Sequence, residues 1–165
     1  MDPRMINRYE GDAKRSGARI VNCCGFDSIP SDLGVKFLQD HALRQFGSYC
    51  DAVKLRVKTL RGGASGGTIA SALNLYKEAS TDPGIRKEMR DPYSLCPVEH
   101  TFAARQHNVS VEFDEDFDSW AGPFIMASIN TRVVLRSNAL LDGHYHENFK
   151  YDEAMLTSVG KKGEK

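Results

Sequence analysis

The sequence lacks an excess of charge of either sign and lacks an apolar run long enough to cross a bilayer. Twenty-two basic residues balance twenty-two acidic ones, so no overall field favours binding to nucleic acid or to an anionic membrane. The longest near-apolar stretches, residues 121–129 and 133–141, are separated by Asn130 and Arg132 and are shorter than a transmembrane helix. We therefore expect no nucleic-acid partner and no membrane span.

Cysteine pairs at metal-binding or redox spacing are also lacking. Cys23 and Cys24 are adjacent, whereas Cys50 and Cys96 are isolated, and this pattern gives neither C-x-x-C nor a disulfide framework. Residues 1–15 are charged and lack the apolar core of a secretory signal. We expect reduced thiols and a cytoplasmic protein.

Histidines are few, and two of them raise the question of a metal site. His144 and His146 lie near Asp142 and Glu147, and such side chains can bind a metal. H-x-H in a polar loop more often has no ligand, so we expect no metal. The thiols Cys23 and Cys24 have no histidine near them in sequence, so we propose no thiol enzyme.

The composition predicts a folded chain. Its 165 residues are 41% apolar and 27% charged, which is ordinary globular usage. This length suffices for one domain with a core, or for one small domain plus a piece of another.

The first half alternates helices and strands. Apolar spacing predicts a helix over residues 4–16, and the branched run at residues 19–24 predicts a buried strand. Capping residues at 30–32 predict a further helix that runs to about Phe46. We expect the core-facing side of that helix to carry the larger apolar residues Leu33, Phe37, Leu38 and Phe46.

Residues 52–60 are the clearest predicted strand. Alternation places Val53 and two further apolar residues toward a core, while Lys54, Arg56 and Lys58 face water or a partner. A glycine-rich turn at residues 62–67 leads into a predicted helix at 68–80.

The second half is less regular. Asp82 and Pro83 predict the cap and first turn of a short helix, and residues 92–108 predict a long surface connection. The rest of the chain predicts a strand at 109–113, a solvated acidic run at 114–118 and a helix from Pro123 to about 141. A strand at 148–156 and a disordered tail follow.

Residues 25–31 are the first candidate site, because ligands of open α/β sheets bind beyond the carboxyl ends of strands. Gly25 permits close backbone approach, Asp27 and Ser28 supply polar groups, and the amides of the next helix favour an electron-rich atom. The alternative is a plain strand-to-helix turn capped by Ser31 or Asp32.

The glycine-rich segment 62–68 is the second candidate, because it lies between a strand and a helix as a phosphate-binding loop would. It lacks the lysine of a P-loop and fails G-x-G-x-x-G because residue 64 is alanine. The alternative is a tight turn that lets the helix pack on the strand.

Polar residues on the apolar helix after Pro123 are the third candidate: Asn130, Arg132, Arg136 and Asn138. A guanidinium among apolar neighbours needs an anionic or carbonyl partner. The acidic run at 114–118 would be a structural partner, whereas a substrate group would be a functional one. Arg132 is the better functional candidate of the two arginines.

Residues 22–34, N-C-C-G-F-D-S-I-P-S-D-L-G, resemble a signature of the saccharopine dehydrogenase-like oxidoreductases, a family that includes bacterial trans-acting enoyl reductases. The similarity extends over residues 8–156. It continues through R-G-G-A-S-G-G-T at 61–68, P-Y-S-L at 92–95, W-A-G-P-F-I-M-A-S-I-N-T-R-V-V at 120–134, S-N-A-L-L at 137–141 and Y-D-E at 151–153.

The resemblance implies an α/β fold with a mixed sheet covered by helices, the substrate and dimerisation domain of a Rossmann-type, NAD(P)-dependent enzyme. Residues 1–30 would be a helix and strand left from the dinucleotide-binding domain, 31–156 the α/β domain and 157–165 a tail. The sequence has no strand followed by G-x-G-x-x-G. We therefore expect a fragment, inactive alone, that does not bind NAD(P) tightly.

The resemblance also implies roles for individual residues. The chain would supply the substrate side of a hydride-transfer cleft for a small-molecule or lipid-like substrate, and it would form a homodimer. The alternative is a non-catalytic dimerisation or binding module. The implied residues are Asp27 and Ser28 for catalysis, Gly25, Phe26 and Ser31 for the cofactor, and Ser65, Thr68, Asn130 and Arg132 for the substrate.

Overall fold

The computed structural model describes residues 3–60, 62, 70, 73, 74, 77 and 80–159. The helices and strands with defined bounds follow one another as α1 (Pro3–Ser16), α2 (Ile29–Phe46), β1 (Ala52–Val57), α3 (Pro83–Arg90), β2 (Glu112–Asp114), β3 (Ser119–Pro123), α4 (Ala127–Leu140) and β4 (Lys150–Val159). None of the helices in this part of the chain is long and apolar enough to cross a membrane.

The four strands form one mixed sheet in the order β1-β4-β3-β2. β1 pairs with β4 in parallel, with Val53 opposite Tyr151. β3 pairs antiparallel with both β4 and β2. The predicted α/β class with a mixed sheet and helices is confirmed.

The core lies between the sheet and α4, with α2 packed on α4. Val134 and Leu135 of α4 are at most 1% exposed and meet Tyr151 of β4. Burying large apolar side chains in this way supplies most of the driving force for folding. The other buried core residues are Val35, Val53, Tyr93, Cys96, Tyr145 and Phe149.

Helix ends follow the sequence signals closely. α1 ends before Gly17, which has a φ of +73°, and α2 ends at Gly47 in the same left-handed conformation. Asp82 caps α3, since its Oδ1 accepts hydrogen bonds from the amides of Gly84 at 2.7 Å and Ile85 at 3.4 Å. The predicted end of α1 and the Asp82 cap are confirmed. The cap predicted for α2 at residues 30–32 is wrong, because α2 already begins at Ile29 and Ser31 bonds Glu153 from inside the helix.

The predicted core face of α2 is wrong. The helix buries Ser31, Val35, Gln39 and Ala42, whereas Leu33 and Phe37 are 57% and 71% exposed and Leu38 and Phe46 are exposed as well. Polar residues can replace apolar ones here because Gln39 exchanges two hydrogen bonds with the backbone of Cys50, at 2.7 and 2.9 Å. The side of α2 that carries Leu33 and Phe37 therefore points away from the core.

The strand predicted at residues 19–24 is also wrong. These residues do not belong to the described sheet, and Ile20 and Val21 are 65% and 72% exposed. A strand needs a partner for its backbone hydrogen bonds, and every strand of the described sheet lies after residue 51. The apolar run before Gly25, which predicted a buried strand, is therefore largely exposed in the structure.

Other differences concern boundaries. β2 begins at Glu112 rather than 109, and Pro123 ends the unpredicted strand β3 instead of opening a helix, so α4 begins four residues later. The predicted surface connection at residues 92–108 has neither helix nor strand, but it buries Tyr93 and Leu95 in the interior. This connection is therefore partly in the core, because it contributes the large side chains of Tyr93 and Leu95.

Arg56 and the acidic run also differ from prediction. The Arg56 side chain is only 1% exposed, and its guanidinium bonds Asp114 at 2.7 Å and also Asp152. Lys54 reaches Asp114 at 3.5 Å. Arg56 therefore faces a partner and not water, and the run at 114–118 is not wholly a solvated edge, because the buried Arg56 guanidinium binds its first carboxylate.

The glycine-rich turn at residues 62–67 lies almost entirely outside the described residues. Within the helix predicted at 68–80, the described residues 70, 73, 74, 77 and 80 are helical. The rest of that helix and the tail after residue 159 lie outside the described residues.

Candidate functional site

The turn before α2 carries the first group of predicted site residues. The Gly25 carbonyl accepts hydrogen bonds from the amides of Ser28 at 3.1 Å and Ile29 at 3.0 Å, which fold residues 25–28 into the start of α2. An added Cβ on Gly25 would meet no atom within 4 Å. Phe26 is 82% exposed, Asp27 is exposed and Ser28 is buried. Asp27 and Phe26 are therefore available to a ligand, whereas Ser28 points inward.

Four buried side chains lie beneath this turn, and we call them the buried polar cluster: Ser31, Asn130, Tyr151 and Glu153. Ser31 Oγ donates to Glu153 Oε1 at 3.1 Å. Asn130 Nδ2 donates to the same Oε1 at 3.2 Å and to Ser31 Oγ at 3.1 Å. The Tyr151 hydroxyl donates to Glu153 Oε2 at 3.2 Å. The cluster thus ties the first turn of α2 to α4 and β4.

Glu153 is the one ionisable carboxyl group of this cluster. Burial raises its pKa, and the hydrogen bonds from Asn130, Ser31 and Tyr151 offset only part of that effect. Burial and the neighbouring Glu153 raise the pKa of Tyr151 in turn. The cluster can therefore hold a proton on Glu153 at a pH where an exposed glutamate would be ionised.

Asn130 has one group without a partner. Its Oδ1 is buried and accepts no hydrogen bond from any described residue, which is unusual for a buried polar atom. All four cluster residues are at most 4% exposed. The cluster is therefore closed to solvent, and its hydrogen bonds hold the first turn of α2 against α4 and β4.

The two arginines of α4 bind backbone carbonyls, not the acidic run. Arg132 donates to the carbonyls of Asp91 at 3.2 Å and of Met89, at the carboxyl end of α3, where a cation is favourable. Burial lowers the pKa of Arg132. Arg136 donates to the carbonyl of Leu95. The acidic run is therefore not the structural partner of either arginine, and the substrate role of Arg132 stays a prediction.

Sequence reasoning connected Ser31 with the cofactor and Asn130 with the substrate, and the structure brings these two side chains together. It assigned no role to Tyr151 or Glu153. A signal existed, because β4 alternates and Glu153 falls on the same inward face as Tyr151. Ser65 and Thr68 lie outside the described residues.

Metal and thiol chemistry find little support in the part of the chain that is described. No group of three or more His, Cys, Asp or Glu residues there is arranged to hold a metal ion. Cys23, Cys24, Cys50 and Cys96 are all free thiols. Burial raises the pKa of Cys23, which opposes nucleophilic use.

Comparison with known proteins finds mycobacterial relatives. A candidate trans-acting enoyl reductase of Mycobacterium tuberculosis is 42% identical over 166 residues, which cover 94% of this chain and 38% of the relative. A trans-acting enoyl reductase of the same species is 35% identical over 168 residues, covering 94% and 39%. One from Mycobacterium ulcerans is 35% identical over 164 residues, covering 94% and 39%.

The chain therefore spans 38 to 39% of the length of these relatives. Their names support the enoyl reductase part of the resemblance. No protein-family model matches the chain, and no solved structure matches it.

Proposed function

We propose that this chain is the substrate-side portion of an NAD(P)-dependent enoyl reductase of the saccharopine dehydrogenase-like type. The observation that carries the proposal is the 35 to 42% identity, over 94% of the chain, to proteins named trans-acting enoyl reductase. In such a reaction one carbon of the double bond receives a hydride and the other receives a proton, giving the saturated product.

The residues described here fit only one edge of a nicotinamide cofactor. Gly25 leaves open space, Phe26 offers an exposed ring, and α2 begins with amides that favour an electron-rich atom. The sequence has no glycine-rich dinucleotide fingerprint. When bound, the cofactor supplies the hydride, and the groups that hold its phosphates belong to another part of the enzyme.

Asp27 is the residue of the turn that we propose to act on the substrate. It is exposed and lies two residues before an 18-residue helix, so its carboxyl group can orient the substrate or deliver a proton. Ser28 is buried, and Ser31 ties the first turn of α2, next to Asp27, to Glu153 of β4. Arg132 remains a proposed substrate contact, with its guanidinium now engaged by two backbone carbonyls.

The experiment uses a hybrid enzyme in which this chain replaces the matching 166-residue segment of the Mycobacterium tuberculosis relative. Asp27→Ala should lower kcat/KM for an enoyl thioester by about a hundredfold or more, which is typical for loss of an acid–base group. Asp51→Ala, at another exposed aspartate, is the matched control. Equal activity of the two variants would remove Asp27 from the proposal.

A second candidate function is a homodimerisation module. The observation that favours it is the exposed apolar face of α2, where Leu33 and Phe37 are one turn apart and 57% and 71% exposed. Exposed apolar faces of this kind mark interfaces. This function does not exclude catalysis by a longer protein.

A further inference from the structure

A cleft of about 760 Å³ lies between α1 and the residues that follow it. This size falls within the range of small-molecule sites, which is roughly 300–1,000 Å³. Side chains of α1 form one wall and the segment before Gly25 forms the other. The apolar lining consists of Met5, Ile6, Tyr9, Ala13, Ala18 and Ile20.

One partly buried cation lies in this apolar cleft. The Arg136 side chain is 18% exposed and projects from α4 among the lining residues. Its Nη1 donates to the Leu95 carbonyl, and its Nη2 is 4.0 Å from Glu10 Oε1. Glu10 is itself 3.4 Å from Lys14 Nζ. Glu10 is therefore shared between two cations.

The charge balance of the cleft follows from these contacts. Two cations, Lys14 and Arg136, face the single carboxylate of Glu10 among the lining residues, which leaves one net positive charge. A guanidinium that is shielded from water binds a carboxylate or a carbonyl oxygen strongly. The cleft thus combines an apolar wall with a site for one anionic or strongly polar head.

We propose that this cleft binds a single acyl chain, with the carbonyl or carboxylate oxygen at Arg136 and the hydrocarbon along α1. An acyl chain has a polar oxygen at one end, which suits Arg136, and a hydrocarbon at the other, which suits the apolar wall. A nucleotide or a sugar would leave most of that apolar wall without a matching group. The binding residue in this assignment is Arg136, whereas the sequence favours Arg132 as the substrate contact.

The cleft adjoins the candidate site along the chain. Asn22 and Cys23 line it and lead directly into the turn at residues 25–28. Identifying the bound chain as that of an enoyl substrate rests on the proposed function, whereas the binding itself does not. A binding measurement without nicotinamide therefore separates failure of the site from failure of the reductase proposal.

The test is isothermal titration calorimetry of the chain with decanoate, and with 1-decanol as an uncharged probe of equal chain length, both below the concentrations at which they aggregate. Decanoate should bind saturably at one site. Its affinity should exceed that of 1-decanol by roughly tenfold, because a charge-assisted hydrogen bond contributes about that factor.

Two variants locate the bound chain. Arg136→Gln should weaken decanoate binding by about tenfold and 1-decanol binding by much less, with the exposed Arg44→Gln as control. Ile20→Asp should weaken both ligands, with Ile125→Asp as control. Ile20 and Ile125 are 65% and 80% exposed, so both variants should fold even where Arg136→Gln does not.

Three results would overturn the assignment. The first is the absence of saturable decanoate binding, which would leave the cleft to a protein segment. The second is equal binding of both probes without an effect of Arg136→Gln. The third is an equal effect of Ile20→Asp and Ile125→Asp, because adsorption to exposed apolar surface in general would produce it.

Discussion

Ser31 and Glu153, which are 122 positions apart in sequence, are joined by a hydrogen bond of 3.1 Å in the interior. The bond links the first turn of α2 to the central strand β4. Asn130 bonds both residues from α4. The position of the turn that carries Asp27 therefore depends on a carboxyl group that no cation of the described chain neutralises.

The buried polar cluster predicts a pH dependence of stability. Because the pKa of Glu153 is raised above its ordinary value of 4.5, the unfolded chain releases this proton at lower pH than the native protein does. Stability contributed by the group is present below the ordinary value and is lost as pH rises through the raised pKa. Glu153→Gln removes this loss, so its Tm relative to the parent should increase as the pH rises above 4.5.

Glu115→Gln is the control for that experiment, because Glu115 is an exposed glutamate in the turn after β2. Its Tm should follow the parent at each pH. Thermal unfolding by circular dichroism measures both variants. A Tm difference for Glu153→Gln that stays constant with pH would contradict the raised pKa.

Arg56 should be far more important for stability than its neighbour Lys54. Arg56→Met leaves the carboxylates of Asp114 and Asp152 without their buried partner, and breaking such a pair costs about 3–5 kcal/mol. Lys54→Met removes a cation that is 41% exposed and should cost less than about 1 kcal/mol. Urea unfolding measures both free energies, and equal costs would argue against a buried ion triad.

The Asp114 carboxylate adds a second pH dependence with the opposite sign. Burial alone would raise its pKa, but the hydrogen bond and charge of Arg56 outweigh burial and lower it. Stability from this group is present above its ordinary value of 3.8 and is lost as pH falls through the lowered pKa. Asp114→Asn should therefore flatten the acid limb of the unfolding profile without changing the slope above about pH 5.

Thiol labelling should distinguish the cysteines. Cys96 is 9% exposed, and burial raises its pKa to about 12, so its thiolate fraction is on the order of a thousandfold below that of an ordinary thiol. Cys24 is exposed. Iodoacetamide should label Cys24 first under native conditions, as followed by peptide mass spectrometry, and rapid labelling of Cys96 would show that the segment around it opens.

The exposed face of α2 predicts self-association if the dimerisation proposal holds. Phe37→Asp should shift a dimer to monomer in sedimentation velocity. Phe46→Asp is the matched control, because Phe46 is 79% exposed and lies nine residues away, on the opposite side of the helix. A monomeric parent, or a dimer that survives Phe37→Asp, would contradict the proposal.

The sequence predicted element types well where local chemistry determines them. α1, α3, β1 and β4 follow from spacing and from caps such as Asp82. The orientation of α2 could not be predicted, because Gln39 is buried by bonds to the backbone of Cys50, a partner that spacing does not reveal. Long-range pairing overrides local pattern there.

Only part of the candidate site could be predicted, because its hydrogen bonds join residues that are far apart in sequence. Ser31 and Asn130 were identified by motif position and by polarity on an apolar helix. Glu153 was not, since a glutamate in a strand is usually solvent-exposed and only its inward register marks it as buried. The Arg56 triad depends on β1 meeting both Asp114 and Asp152, which only the fold establishes.

Transfer of deuterium from the reduced cofactor tests the central proposal most directly. The hybrid enzyme that contains this chain is incubated with an enoyl thioester and NADPH or NADH that carries deuterium at the transferable position, and the product is analysed by mass spectrometry. The account predicts a saturated thioester that carries the deuterium, and no such product from this chain alone. A folded hybrid that gives no deuterated product, or full activity of the isolated chain, would contradict it.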